Sequence, residues 1–266
     1  MDSFFYLVML AGAIAGASCG LLGVYIVGLR LPFIGICISH AAMAGTVFSI
    51  LLGFNPVLGP IAFSAAASMS LAVLRPEKSR IDPSVAVAIL FSVMLGLTFL
   101  GIGLMKGSRT EVMGLLWGSI LFVGKINVVV ITIVGLIFTA FAVIFNEQLK
   151  VLLFSRAIAL ATGVHESFVY SLFLALCGIV LAVNLPLVGG LMIFSLITCP
   201  AAAAYQMCTG HRQVIFASMF FGMLSALGGF LISYYFDLPT GACIVITSAA
   251  IFALAAMQNT FLGRRD

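Results

Sequence analysis

Charge is what this sequence has least of. Its 266 residues include eight aspartates and glutamates, twelve lysines and arginines, three histidines and one tryptophan. No aspartate, glutamate, lysine or arginine falls inside the nine longest apolar runs. Such scarcity excludes a soluble globular domain and a disordered chain. A charge at the bilayer centre costs about 3 kcal/mol or more on insertion scales, so polytopic membrane proteins push charge into loops. Basic tracts are missing too, which removes the electrostatic footprint of nucleic-acid binding. There is no glycine-rich loop ending in Lys-Ser or Lys-Thr, so ATP is not expected to bind this chain through a phosphate loop. His165-Glu166 does not continue into a zinc-protease motif, because Val169 stands where the second histidine belongs. With no carboxylate inside an apolar run, an intramembrane hydrolase lacks its base–nucleophile set, an unusual dyad using His40 apart. The six cysteines, at 19, 37, 177, 199, 208 and 243, lie within or at the ends of runs and form no disulfide framework.

What is present is length of apolar sequence. Hydrophobic residues make up 63% of the chain. The runs cover residues 4–29, 33–53, 57–74, 84–105, 126–145, 167–184, 187–208, 213–236 and 241–261. At ~1.5 Å per residue each reaches about 27 Å or more, which is the length of a helical crossing. Barrel strands are shorter and alternate, which these runs do not. The expected fold is all-α: one polytopic unit over residues 1–266, with about nine transmembrane helices, eight being the alternative count. The first run opens with Asp2, lacks a basic leading region and exceeds a signal core, so it is expected to remain as a span. On a nine-span reading, nine lysines and arginines fall on one side and only Lys106, Arg109 and Lys125 on the other. By the positive-inside rule the N-terminus lies outside and the C-terminus in the cytoplasm.

Gly12, Gly16 and Gly20 share one face of the first run and allow close helix contact. Residues 111–124, with Trp117, are too short to span and suit a re-entrant or interfacial segment on the outer side. On the cytoplasmic side, 152–163 is helix-compatible and stops at Gly163. Such a helix either anchors at the interface or docks a soluble partner. Asn184-Leu185-Pro186 and Thr198-Cys199-Pro200 read as polar proline breaks, whose freed carbonyls can line a path or simply kink a helix.

His40 is the histidine placed within a run, roughly 10 Å from its cytoplasmic end. It can be a hydrogen-bonded packing residue or a pathway residue. Cys37 stands three residues earlier, on the same face, and Ser39 is adjacent. Imidazole plus thiolate suits zinc and suits magnesium or calcium poorly. Two ligands from one helix do not complete a site, so a second helix or second subunit has to contribute.

Several segments carry a family resemblance. Residues 33–45, FIGICISHAAMAG, are similar to the second-helix motif aromatic-x-Gly-Asp-x-x-Ser-His-Ala-x-x-x-Gly, with Gly35, Ser39, His40, Ala41 and Gly45 kept. EVMGLLWGSI at 111–120, LMIFSLITCPAAAAY at 191–205 with Pro200, and Asp237-x-Pro239-x-Gly241 match further motifs in order. Together they resemble the permease subunits of zinc-, manganese- and iron-uptake ABC importers. The resemblance implies a transport subunit rather than an enzyme, in the cytoplasmic membrane of a prokaryote. It implies a homodimer, a cytoplasmic ATPase that binds the ATP, and an extracytoplasmic metal-binding protein. The metal would be cargo, with no resident cofactor. Phe154, Ser155, Arg156, Ala157, Ile158, Ala159, Leu160, Ala161, Thr162 and Gly163 correspond to the helix that docks on the ATPase. Cys37, Ser39 and His40 fall on the translocation pathway.

Three departures stand out. Ile36 replaces the aspartate before Ser-His, Ser84 replaces an aspartate opening the fourth helix, and Ser155 to Ala159 replace an Asp-Pro-Glu-x-Ala pattern. Losing a hard oxygen donor beside His40 leaves a softer site, a path with no stable stop, or a different substrate. The expected cargo is a divalent transition metal, zinc ahead of manganese and iron. The alternatives are an ABC permease for a non-metal solute and a secondary transporter without an ATPase. The latter usually keeps an ionisable residue within a span, and only His40 fits that description.

Overall fold

In lipid an apolar segment has to satisfy its own backbone, and a helix does so within one run. The computed structural model describes residues 2–29, 32–55, 57–73, 83–105, 118, 124–154, 166–190 and 193–261. They form ten helices: α1 (Asp2–Gly28), α2 (Pro32–Leu52), α3 (Leu58–Val73), α4 (Pro83–Leu104), α5 (Lys125–Ile144), α6 (Asn146–Phe154), α7 (Glu166–Val188), α8 (Ile193–Met207), α9 (His211–Phe236) and α10 (Thr240–Phe261). No strand occurs among the described residues. The all-helical membrane fold is the one expected.

The lengths of the apolar helices differ from those expected. Among the described residues seven helices are long and apolar enough to cross a membrane: α1, α2, α4, α5, α7, α9 and α10. Two further apolar helices are shorter, α3 with 16 residues and α8 with 15. The shortening of α8 has a physical cause. A break at Pro186 is expected from the sequence, but α7 runs through it to Val188. Pro186 sits in the last turn, where it costs a single backbone bond to the Ala182 carbonyl. The stop is Gly189, whose φ of 92° closes the helix and whose N–H donates to the Leu185 carbonyl at 2.8 Å. Pro200 likewise lies inside α8 and does not end it.

Two sets of helices build the core. In one, α1 packs on α5, α8 and α9, with α10 against α8 and α9. In the other, α2 packs on α3, α4 and α7, and α7 also meets α3, α5 and α1. Two close helix contacts need glycine on both sides. A Cβ on Gly16 or Gly222 would overlap the other's carbonyl, so α1 and α9 meet backbone to backbone. Gly45 of α2 and Gly59 of α3 make the same kind of contact. Of the expected α1 stripe, Gly16 and Gly20 make this seam, whereas Gly12 faces open space. Outward faces are apolar: Ile89, Val93, Phe99 and Leu100 of α4 are all half or more exposed. Such faces suit hydrocarbon, not water.

Residues 155–163 lie outside the described residues, so the expected docking helix is represented only by the backbone of Phe154 in α6. The segment 111–124 is represented by Gly118 and Gly124. Gly118 is buried with a φ of 74°, and a Cβ there would run into the Val188 carbonyl at the end of α7.

Candidate functional site

Pro32, at the first position of α2, has the φ a helix needs and no N–H to leave unpaired. The helix that follows carries Cys37, Ser39 and His40 into the bundle between α3, α4 and α7. His40 is 6% exposed, and its Nδ1 lies 3.0 Å from the Ile36 carbonyl. A carbonyl only accepts, so Nδ1 carries the proton of the neutral ring and Nε2 keeps its lone pair. Metal-ligating histidines are commonly oriented by such a backbone bond. The ring meets Phe91 of α4 edge-on, with centroids 4.9 Å apart. Ser39 donates to the same Ile36 carbonyl at 2.9 Å. Cys37 is fully buried in the main apolar core.

The sequence-derived trio therefore divides. Ser39 and His40 share one backbone acceptor, whereas Cys37 packs among apolar neighbours. Among the described residues no three histidine, cysteine, aspartate or glutamate side chains gather where they could hold a metal ion. Beside this stretch an open groove of about 570 Å³ runs between α2 and α4, lined by Phe33, Val85, Ala88, Ile89, Ser92 and Val93. Its one polar side chain, Ser92, already donates to the Ala88 carbonyl at 2.9 Å.

The other matched motifs are positional. A Cβ on Gly35 would make ordinary contact with Ile26, so only Gly45 of that pair is sterically required. Pro200 is buried within α8, and next to it Cys199 lies 3.4 Å from the Ser195 hydroxyl. Ser195 also meets Ser248 of α10 at 2.9 Å. Asp237 is the left-handed cap of α9 with a φ of 52°, a conformation its short side chain tolerates. Its N–H donates to the Ser233 carbonyl, and the Ser233 hydroxyl donates to Leu238 at 2.6 Å. Pro239 and Gly241 complete the turn into α10, where Thr240 meets Ser233 at 3.0 Å. This motif fixes the turn between α9 and α10.

On α6, Lys150 and Glu147 form an ion pair at 2.8 Å, and the hydrogen bond from Lys150 holds the Glu147 carboxyl below its ordinary range. Sequence reasoning missed the polar contacts between distant helices. The Tyr205 hydroxyl donates to the Val24 carbonyl at 2.9 Å, and the Ser218 hydroxyl to the Gly20 carbonyl at 2.7 Å. Only the three-dimensional register of the helices brings such pairs together, so no local pattern announces them.

Comparison with known proteins agrees with this architecture. The family model described as the ABC 3 transport family matches residues 1–259. The chain is 28% identical over 253 residues to the "Manganese transport system membrane protein MntC" of Listeria monocytogenes, covering 95% of this chain and 90% of that one. It is 24% identical over 251 residues to the "High-affinity zinc uptake system membrane protein ZnuB" of Haemophilus influenzae, covering 94% and 96%. Among solved structures, "PsaBC from Streptococcus pneumoniae in complex with Fab" superposes with a TM-score of 0.87 at 27% identity, covering 99% of this chain and 95% of that one.

Proposed function

The chain belongs to the ABC 3 transport family, and on that premise we propose that it is the permease of an ATP-driven importer of a divalent transition-metal ion. As a permease it is a transport subunit, and ATP hydrolysis sits in a separate subunit. The observation that carries the cargo is His40: a buried imidazole, its Nδ1 tied to Ile36, presenting a bare Nε2 within the membrane. The names of its relatives include both manganese and zinc. Zinc stands ahead of manganese and iron here, because an imidazole suits zinc and Ile36 supplies no oxygen ligand. One imidazole per chain does not make a site, so a second copy of the chain is assigned as the other half of the pathway. The two remaining partners are a cytoplasmic ATPase and an extracytoplasmic metal-binding protein.

Growth under chelation tests this reading. In a cell stripped of its own zinc importers, this chain with its ATPase and binding protein is expected to restore growth at low zinc. No rescue under zinc, manganese or iron limitation would contradict it.

The seven long and two shorter apolar helices together supply nine crossings, with the N-terminus out and the C-terminus in. A reporter fused after Arg265 is expected to read cytoplasm, and one placed between Lys106 and Lys125 the exterior. The reverse pattern would overturn the orientation. Residues 152–164, which begin in the last turn of α6, are assigned to ATPase docking. A bulky charged residue at Ala159 or Gly163 is expected to uncouple ATP hydrolysis from uptake while leaving membrane insertion intact. Normal transport in such variants would remove the docking role.

A further inference from the structure

At the end of α1 that the basic bias places in the cytoplasm, two aromatic rings meet, and each carries a buried polar atom without a partner among the described residues. The Tyr25 hydroxyl belongs to a side chain only 1% exposed, and it has no hydrogen-bond partner among the described residues. The same holds for Nε2 of His211, the first residue of α9. The two rings stand edge-on, with centroids 6.3 Å apart. Buried polar atoms are paired in the great majority of cases, so two orphans on touching rings are informative. The neighbouring phenol shows that pairing is attainable here, since Tyr205 donates to the Val24 carbonyl. Tyr25 is otherwise well seated, its ring packed edge-on against Phe173 of α7 at 6.0 Å.

The surroundings connect this point to the cytoplasmic partner. Leu153 of α6 lies against Gly28, one turn beyond Tyr25 on α1. Glu147 and Lys150 of α6 are within electrostatic reach of His211. A displacement of α6 therefore bears on α1 and α9 together. Further into the bundle these two helices are clamped at Gly16–Gly222 and by the Ser218–Gly20 bond, so a change between Tyr25 and His211 is confined to their cytoplasmic ends.

We propose that Tyr25 and His211 form a hydrogen-bonded catch between α1 and α9, open in the state described and closed in another state of the transport cycle. In the closed state the Tyr25 O–H donates to Nε2 of the neutral His211. Both residues are positioning residues, since neither touches cargo. The catch's place in a transport cycle rests on the importer reading; the open state itself does not.

The sign of the stability effect separates this catch from an ordinary structural bond. Tyr25→Phe keeps the ring and removes only the unpaired hydroxyl. It is expected to raise the melting temperature of the purified full-length permease by about 2 °C or more. In the full complex it is expected to lower ATP-driven zinc uptake about fivefold, the worth of one hydrogen bond. His211→Leu is expected to lower uptake to the same degree. His211→Gln, which keeps a hydrogen-bonding atom at that reach, is expected to retain most of it. The double variant Tyr25→Phe/His211→Leu is expected to be no slower than either single one. A lower melting temperature for Tyr25→Phe would show that the hydroxyl is already paired in the resting protein, and the catch would be wrong. Additive losses in the double variant would also overturn it. A complex that moves no metal at all refutes the importer, whereas the melting comparison on the permease alone still decides whether the catch is open.

Discussion

His40→Leu is expected to yield a permease that inserts, folds and binds its ATPase, yet takes up zinc about a hundredfold more slowly or not at all. Leucine fills similar space against Phe91, so packing between α2 and α4 survives. Ser39 remains bonded to the Ile36 carbonyl, so that acceptor is not orphaned. What disappears is Nε2, the imidazole nitrogen that α2 offers as a ligand. Cys37→Ala is expected to be milder, because Cys37 lies in the apolar core and its loss removes a small packed volume, worth about 1 kcal/mol. Ile36→Asp places a carboxylate one turn before His40 on the same face. It is expected to raise manganese uptake relative to zinc, since oxygen ligands favour manganese. Full-rate uptake in His40→Leu would make this histidine a packing residue.

Gly222→Leu is expected to abolish the folded bundle rather than slow transport. The new Cβ would overlap the Gly16 carbonyl oxygen, which is backbone and cannot rotate away. Neither helix can slip to make room, because Ser218 fixes the register to Gly20. The expected destabilisation exceeds about 3 kcal/mol, the upper end for ordinary overpacking. Gly12→Ala is the control: a Cβ there meets nothing within 4 Å. It is expected to melt with the wild type. Thermal unfolding of the two purified variants checks the pair, and a stable Gly222→Leu permease would mean the α1–α9 contact is looser than described.

The spans were legible because charge is forbidden inside them, and the position of each charge marks a loop. Helix ends were less so. Pro186 and Pro200 read as breaks, yet both lie within helices: Pro186 falls in the last turn of α7, where a proline forfeits little and Gly189 provides the stop, and Pro200 sits midway along α8. The helix carrying Ser39 and His40 was legible, and the two sit three and four residues after a common acceptor. Which neighbours cover Cys37 was not legible, because sharing a helix face says nothing of them. Gly16 was foreseen as a contact residue but its partner Gly222 was not. The Tyr25–His211 contact joins residues far apart in the chain, and only packing reveals it.

The most direct test is uptake of radiolabelled zinc by proteoliposomes containing this chain, its ATPase and its binding protein. Accumulation that requires ATP, and that is lost with His40→Leu in a complex of normal assembly, is the expected result. Zinc and manganese that stay outside with ATP present, or that enter equally well without the ATPase, would contradict an ATP-driven metal importer.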